Sequence, residues 1–155
     1  MAAHTRILII GIGNEYRRDD AAGLVVARRL QKVVPSHVTV IEQSGEGAAL
    51  LEGWKDTEVV FLIDAVHSGA APGTIFRFDA TTQPIPTKFF HYSTHAFSVA
   101  EAIELARSLN QLPSRLIVYG IEGKNFSSGV GLSPEVDNAV PEVERRVRQE
   151  IQSGS

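Results

Sequence analysis

The sequence predicts an α/β fold: a three-layer, doubly wound, mostly parallel sheet of about five strands with helices on both faces. Three observations carry this prediction. Ile7-Leu8-Ile9-Ile10 and Val59-Val60-Phe61-Leu62-Ile63 are continuous apolar runs, the pattern of strands buried on both faces of a parallel sheet. Between and after them, apolar residues recur at helical spacing. The two kinds of segment alternate along the chain, the order that strand–helix–strand units require.

The first strand, Ile7 to Ile10, is broken by Gly11-Ile12-Gly13-Asn14. From Asp20 the period turns helical, with Val26, Leu30, Val33 and Val34 in step and Pro35 as the stop. Asp19 and Asp20 stand where this helix starts, and its dipole favours negative charge there. Val38 to Ile41 reads as a second strand and Ala48 to Trp54 as a short helix. Val59 to Ile63 is the clearest strand and runs straight into Asp64. A polar loop, His67 to Gly73, leads to Thr74–Phe78, read as an edge hairpin strand. Residues 80–95 carry Pro84 and Pro86 and no clear period, so they read as a long loop. Ala96 to Leu109 is a helix with Val99, Ile103 and Ala106 on one face and Ala102, Leu105 and Leu109 beside them. Arg115 to Tyr119 is the last strand, and Gly120 to Leu132 a glycine-rich loop. Ser133 as N-cap and Pro134 in the first turn open the final helix. Its buried stripe is Val136, Val140, Val143, Val147 and Ile151, and Pro141 is expected to kink or divide it. Residues 152–155 read as a frayed tail. No repeat or boundary interrupts the chain, so residues 1–155 are expected to form a single domain.

Composition narrows the function. A chain of 155 residues suits one hydrophobic core. Fifteen Lys and Arg against eighteen Asp and Glu give a net charge of -3, without the basic excess of a nucleic-acid binder. There is no cysteine, which excludes disulfides, a thiol nucleophile and a thiolate metal site. Any metal must be held by histidine, carboxylate or carbonyl. No apolar run approaches the roughly 20 residues a membrane helix needs. The segment Met1 to Arg6 and the run after it lack the layout of a signal peptide. The expectation is a soluble, cytoplasmic protein with neither nucleic-acid nor membrane partners.

In doubly wound folds, sites gather outside the carboxyl ends of the strands. That rim holds the loop after Ile10, Asp64, and the loop before the helix at Ala96. Gly11-Ile12-Gly13-Asn14-Glu15-Tyr16 begins like a dinucleotide fingerprint, but Tyr16 stands where the third glycine belongs. Two aspartates at the helix start would also repel a pyrophosphate. A dinucleotide-binding oxidoreductase, with Glu42 as ribose ligand, is the alternative from another class. Gly11 and Gly13 read better as a tight turn that brings backbone near a site. Asp64 closes an apolar strand, a place equally common for a helix cap or turn residue. His95 follows Ser93 and Thr94 and precedes a helix. His67 and His91 share the rim loops, so composition does not choose among the three, while His4 and His37 read as surface residues. Asp20, Asp64 and a rim histidine make two oxygen ligands and one nitrogen ligand. Such a set suits a substrate-completed site for zinc, nickel or another divalent ion, with sulfur supplied by a partner. Two aspartates also suit an acid/base pair. There is no Asp-Thr-Gly, His-Glu-x-x-His, Gly-x-Ser-x-Gly or Walker signature.

Gly11-Ile12-Gly13-Asn14-x-x-Arg17-x-Asp19-Asp20-x-x-Gly23 resembles the opening motif of the nickel-iron hydrogenase maturation endopeptidases. The resemblance continues through Asp64-Ala65, Ala71-Pro72-Gly73-Thr74, Ser93-Thr94-His95 and Gly131-Leu132-Ser133-Pro134-Glu135-Val136, nearly the whole chain in order. It implies an endopeptidase, of aspartic type by family, that removes a short C-terminal peptide from a hydrogenase large-subunit precursor after nickel insertion. It implies Asp20, Asp64 and His95 as both the metal-contacting and the catalytic residues. The nickel would arrive with the precursor, held by its thiolates, and another divalent ion could replace it in a crystal. No nucleotide is implied. A non-catalytic, nickel-checking maturation chaperone of the same fold is a further alternative. Asp19 is read as a helix-terminal charge rather than a second site carboxylate. Two departures stand out: Ala21 replaces a common glycine, and many members have proline near Gly123, where glycine is expected to loosen the loop after the last strand.

Overall fold

Residues 5–86 and 98–153 are described by the computed structural model. Five strands, β1 (Ile7–Ile12), β2 (Val38–Gln43), β3 (Val59–Val66), β4 (Ile75–Asp79) and β5 (Arg115–Glu122), form one sheet in the order β2-β1-β3-β5-β4. The first, second, third and fifth are parallel. β4 lies antiparallel on the outside of β5, with Phe76 opposite Gly120. It is therefore an edge strand as expected, but it pairs with the last strand instead of forming a hairpin with β3.

Alternation of side chains divides the core between the two faces. Ile7, Ile9, Phe61, Ile63, Ile117 and Tyr119 face α1 (Ala22–Gln31) and α4 (Pro134–Ser153). Leu8, Ile10, Leu62, Val66, Leu116 and Val118 face α2 (Gly47–Gly53) and α3 (Val99–Ser108). Helices on both faces explain why the central strands read as unbroken apolar runs. The shorter helices have clear start signals. Glu46 caps α2 by accepting from the N–H groups of Ala48 and Ala49 at 3.1 and 3.0 Å. Ser98 and Glu101 form a capping box at the start of α3.

Several boundaries move. β1 runs on through Gly11 and Ile12, and β5 through Gly120 to Glu122, because Gly11 stays paired with β3, Ile12 with Gln43 of β2, and Gly120 to Glu122 with β3. α1 does not begin at Asp20: a 3-10 turn, Arg18–Ala21, precedes it, and Val33 lies beyond its end, 44% exposed. Leu105 and Leu109 are exposed rather than part of the buried face of α3. Pro141 does not divide α4, which is one helix of 20 residues. Pro141 and Asp137, four residues earlier, are both exposed, so the missing hydrogen bond lies on the water side. The stripe Val136, Val140, Val143, Val147 and Ile151 is buried throughout, as its spacing requires. Among the described residues no helix is long and apolar enough to cross a membrane.

Candidate active site

Strand order reverses between β1 and β3: the chain leaves β1 for β2 on one side and returns to β3 on the other. Crevices in open α/β sheets open at such switch points. The segment after β1 carries Asp20, and Asp64 is the sixth residue of β3, one past the last β1–β3 pair, Gly11 with Ile63.

Glycines bring these segments together. A Cβ on Gly13 would lie 2.0 Å from the Asp20 carbonyl oxygen. A Cβ on Gly23 would lie 2.2 Å from the Ile63 carbonyl oxygen and 2.4 Å from that of Ile12. One on Gly11 would strike Ala27 and the Gly23 carbonyl, both at 2.5 Å. Gly11 is thus a strand residue on which α1 packs rather than part of a turn. Any side chain at these positions would lift the Arg18–Ala21 turn and α1 away from the strand ends.

Asp64 is 8% exposed, and Asp20 is half-buried above it. Burial pushes the Asp64 carboxyl well above the usual carboxylate range; the negative charge of Asp20 adds to this, and the Ala65 N–H opposes it. Burial also raises Asp20, against the pull of the Arg17 guanidinium and the Asn14 N–H. The two carboxyls are electrostatic neighbours, and the more buried one keeps its proton longer. Chemically, such a pair is either an acid with a base or two oxygen ligands for a cation.

The expected histidine ligand, His95, lies outside the described residues, as do His91 and His4. Among the described residues no three side chains cluster as a metal site. His67, just past β3, is exposed and packs edge-to-face on Phe126, with ring centroids 5.4 Å apart. Glu42, the ribose ligand of the oxidoreductase alternative, is instead bound to Arg28 through two contacts of 3.0 Å.

Asp19 differs from both readings of it. It is fully buried and precedes α1, whose first turn has no acidic residue. Its Oδ1 accepts from the Ser133 N–H at 2.7 Å. Its Oδ2 accepts from the Lys124 and Asn125 N–H groups at 2.8 and 2.9 Å and from the Ser133 hydroxyl at 2.7 Å. Burial works to raise its carboxyl, but these bonds outweigh burial and hold it below the usual range. Asp19 therefore ties the β5–α4 loop beneath the turn that carries Asp20. Ser133 donates its hydroxyl to that tie, while its carbonyl accepts from Asp137 to start α4. Gly123 is tied as well rather than loosened: its N–H donates to the Val66 carbonyl at 3.0 Å, and a Cβ would meet the Phe126 ring at 2.4 Å.

Sequence reasoning passed over Glu122, which is 1% exposed at the carboxyl end of β5. It accepts from the Ser68 N–H at 2.9 Å and from its hydroxyl at 2.5 Å, fixing the start of the β3–β4 loop. Its signal was the one that marked Asp64: an acid closing an apolar strand, here Leu116 to Ile121.

Comparison with known proteins agrees with this fold and gives its family. The family model for hydrogenase maturation proteases matches residues 24–150. A protein of Methanocaldococcus jannaschii assigned as a hydrogenase maturation protease is 34% identical over 140 residues, 86% of this chain and 88% of its own. The hydrogenase 2 maturation protease of Escherichia coli is 26% identical over 136 residues, 85% of this chain and 82% of its own. In fold, the hydrogenase maturating endopeptidase HybD from E. coli superposes with a TM-score of 0.82, at 21% identity, over 97% of this chain and 94% of its own. With the family model spanning most of its length and a relative this similar across nearly all of it, the chain belongs to the hydrogenase maturation protease family.

Proposed function

We propose that this protein is an endopeptidase that removes the C-terminal extension of a nickel-iron hydrogenase large-subunit precursor once nickel has been inserted. The supporting observation is the Asp20–Asp64 pair at the switch point. Two carboxyls held together, each clinging to its proton more than an isolated aspartate does, form a seat for a cation. The chain has no cysteine, so the sulfur ligands nickel favours come from the precursor. His95 is the third ligand in this reading. Three residues on in the chain, Ser98 caps α3, the helix that covers the strand face of Leu62 and Val66.

In this reaction the precursor's nickel is both part of the substrate and the mark by which it is recognised. Asp20, Asp64 and His95 complete its coordination, and unloaded precursor lacks the contact. Hydrolysis then needs one proton moved. A carboxylate of the pair takes it from the attacking water as the hydroxyl oxygen bonds to the scissile carbonyl carbon. The same proton passes to the departing amine when the peptide bond breaks, which makes the enzyme aspartic in type.

The test is to incubate the protein with nickel-loaded and nickel-free precursor and follow intact mass. Loss of the C-terminal peptide is expected from the loaded form alone, and Asp64→Asn and His95→Ala should leave it uncut. Equal cutting of both forms would refute nickel recognition, and cutting by either variant at the normal rate would refute the site.

A further inference from the structure

Among the described residues, the most exposed large apolar side chains are Val130 at 73% and Tyr16 at 66%. They are 114 positions apart in sequence, yet the backbones of their segments are paired at Gly129, the residue before Val130. The Gly129 N–H donates to the Tyr16 carbonyl at 2.9 Å, the Arg18 N–H donates to the Gly129 carbonyl at 3.0 Å, and Arg17 and Gly129 form an isolated parallel bridge. Both segments are held firmly. The Asn14 Oδ1 accepts from the Tyr16 N–H at 2.9 Å, and the Asn125 Oδ1 accepts from the Ser127 N–H and hydroxyl at 2.9 and 2.7 Å. Arg18 takes φ of 47°, and Gly129 takes φ of 141°, a conformation that side chains rarely adopt. The same turn delivers Asp20, whose N–H donates to the Arg17 carbonyl at 3.0 Å.

We infer that Tyr16 and Val130 form the subsite that receives an apolar residue of the polypeptide substrate next to the bond to be cut. The inference rests on the peptidase reading above and deepens it. A chain seated on Asp20 and Asp64 must run over the neighbouring rim, and the Asn14–Asp20 turn with its Gly129 partner is that rim. Leaving two large apolar groups in water is unfavourable, and laying an apolar side chain against them removes surface from water on both partners. The tied backbone holds them in place beforehand, so little ordering is needed on binding.

The test compares wild type with Tyr16→Ser, Val130→Ser and the double variant, using nickel-loaded precursor. Leu109→Ser, at a residue 53% exposed at the far end of α3, is the control. All four should melt like wild type. The double variant should show KM for the precursor raised at least tenfold with kcat unchanged, and precursor binding weakened to match, while Leu109→Ser changes neither. An unchanged KM, or an equal rise in Leu109→Ser, overturns the subsite and leaves the peptidase reading standing. So does wild-type self-association that the Tyr16 and Val130 variants abolish without any change in KM. Precursor that binds through Tyr16 and Val130 but is never cut refutes the peptidase, and with it a subsite beside a scissile bond. A wild-type chain that neither binds nor cuts refutes both.

Discussion

Asp19→Asn is the sharpest test of how the site is supported. In the wild type one buried carboxylate takes four hydrogen bonds of 2.7–2.9 Å, three on Oδ2 and one on Oδ1. Asparagine has nearly the same shape but only one acceptor oxygen. In its better orientation the amide keeps the three Oδ2 partners and turns its NH2 toward the Ser133 N–H, donor against donor. One charge-assisted bond is lost outright, at about 1.5–3 kcal/mol, and the other three weaken because their acceptor is neutral. Relief of the carboxylate's own desolvation offsets part of this, so the expected net loss is about 2–4 kcal/mol. A charge acting only through the helix dipole would contribute about 0.3–1 kcal/mol, which makes the two roles distinguishable. In a chain of this size the loss lowers the melting temperature by about 4–16 °C. The sign of the pH dependence is fixed as well. The folded-state value lies below the ordinary 3.8, so the stabilisation is fully present above that value and is lost as pH falls through the folded value. Urea denaturation followed by circular dichroism, near neutral pH and again near about pH 3, measures both. A loss under about 0.5 kcal/mol at neutral pH, or one that does not shrink in acid, would refute the four-bond role.

Two further outcomes follow from the site. Asp64→Asn should stabilise the fold near neutral pH while abolishing cleavage. The Asp64 carboxyl is raised in the fold, so its cost is absent below the ordinary 3.8 and grows as pH rises toward the folded value. Each tenfold change in that proton's affinity is worth about 1.4 kcal/mol, and melts across this range that show no gain for the variant would contradict the burial argument. Gly23→Ala should cost about 1–3 kcal/mol or more and slow cleavage disproportionately, because its Cβ meets two backbone carbonyls that cannot yield without lifting α1. Wild-type stability together with wild-type cleavage would show that the helix-to-strand approach does not position Asp20.

Much of the fold was legible because burial on two faces leaves a mark in local composition. Ile7–Ile10, Val59–Ile63 and the Val136–Ile151 stripe announce a parallel sheet and a packed helix without any knowledge of their partners. The ends were not legible. Gly11, Ile12 and Gly120 to Glu122 look like loop yet stay in strands, because their hydrogen bonds go to a neighbour far away in sequence. Pro141 looks like a break yet sits on the water side of α4, where a missing bond costs little.

The division is the same at the site. By itself the sequence determined that an acid follows the apolar run Val59–Ile63, that a second acid follows a glycine-punctuated segment after Ile10, and that no thiol is present to hold a metal. These are matters of residue type and order. Tertiary structure alone decided that Asp20 comes to Asp64 while its neighbour Asp19 turns inward to Ser133, Lys124 and Asn125. Nothing in the sequence separates two adjacent aspartates. Their roles part because a 3-10 turn, pressed onto strand ends by glycines that leave no room for a side chain, points one carboxylate at the rim and the other at three N–H groups more than a hundred residues away.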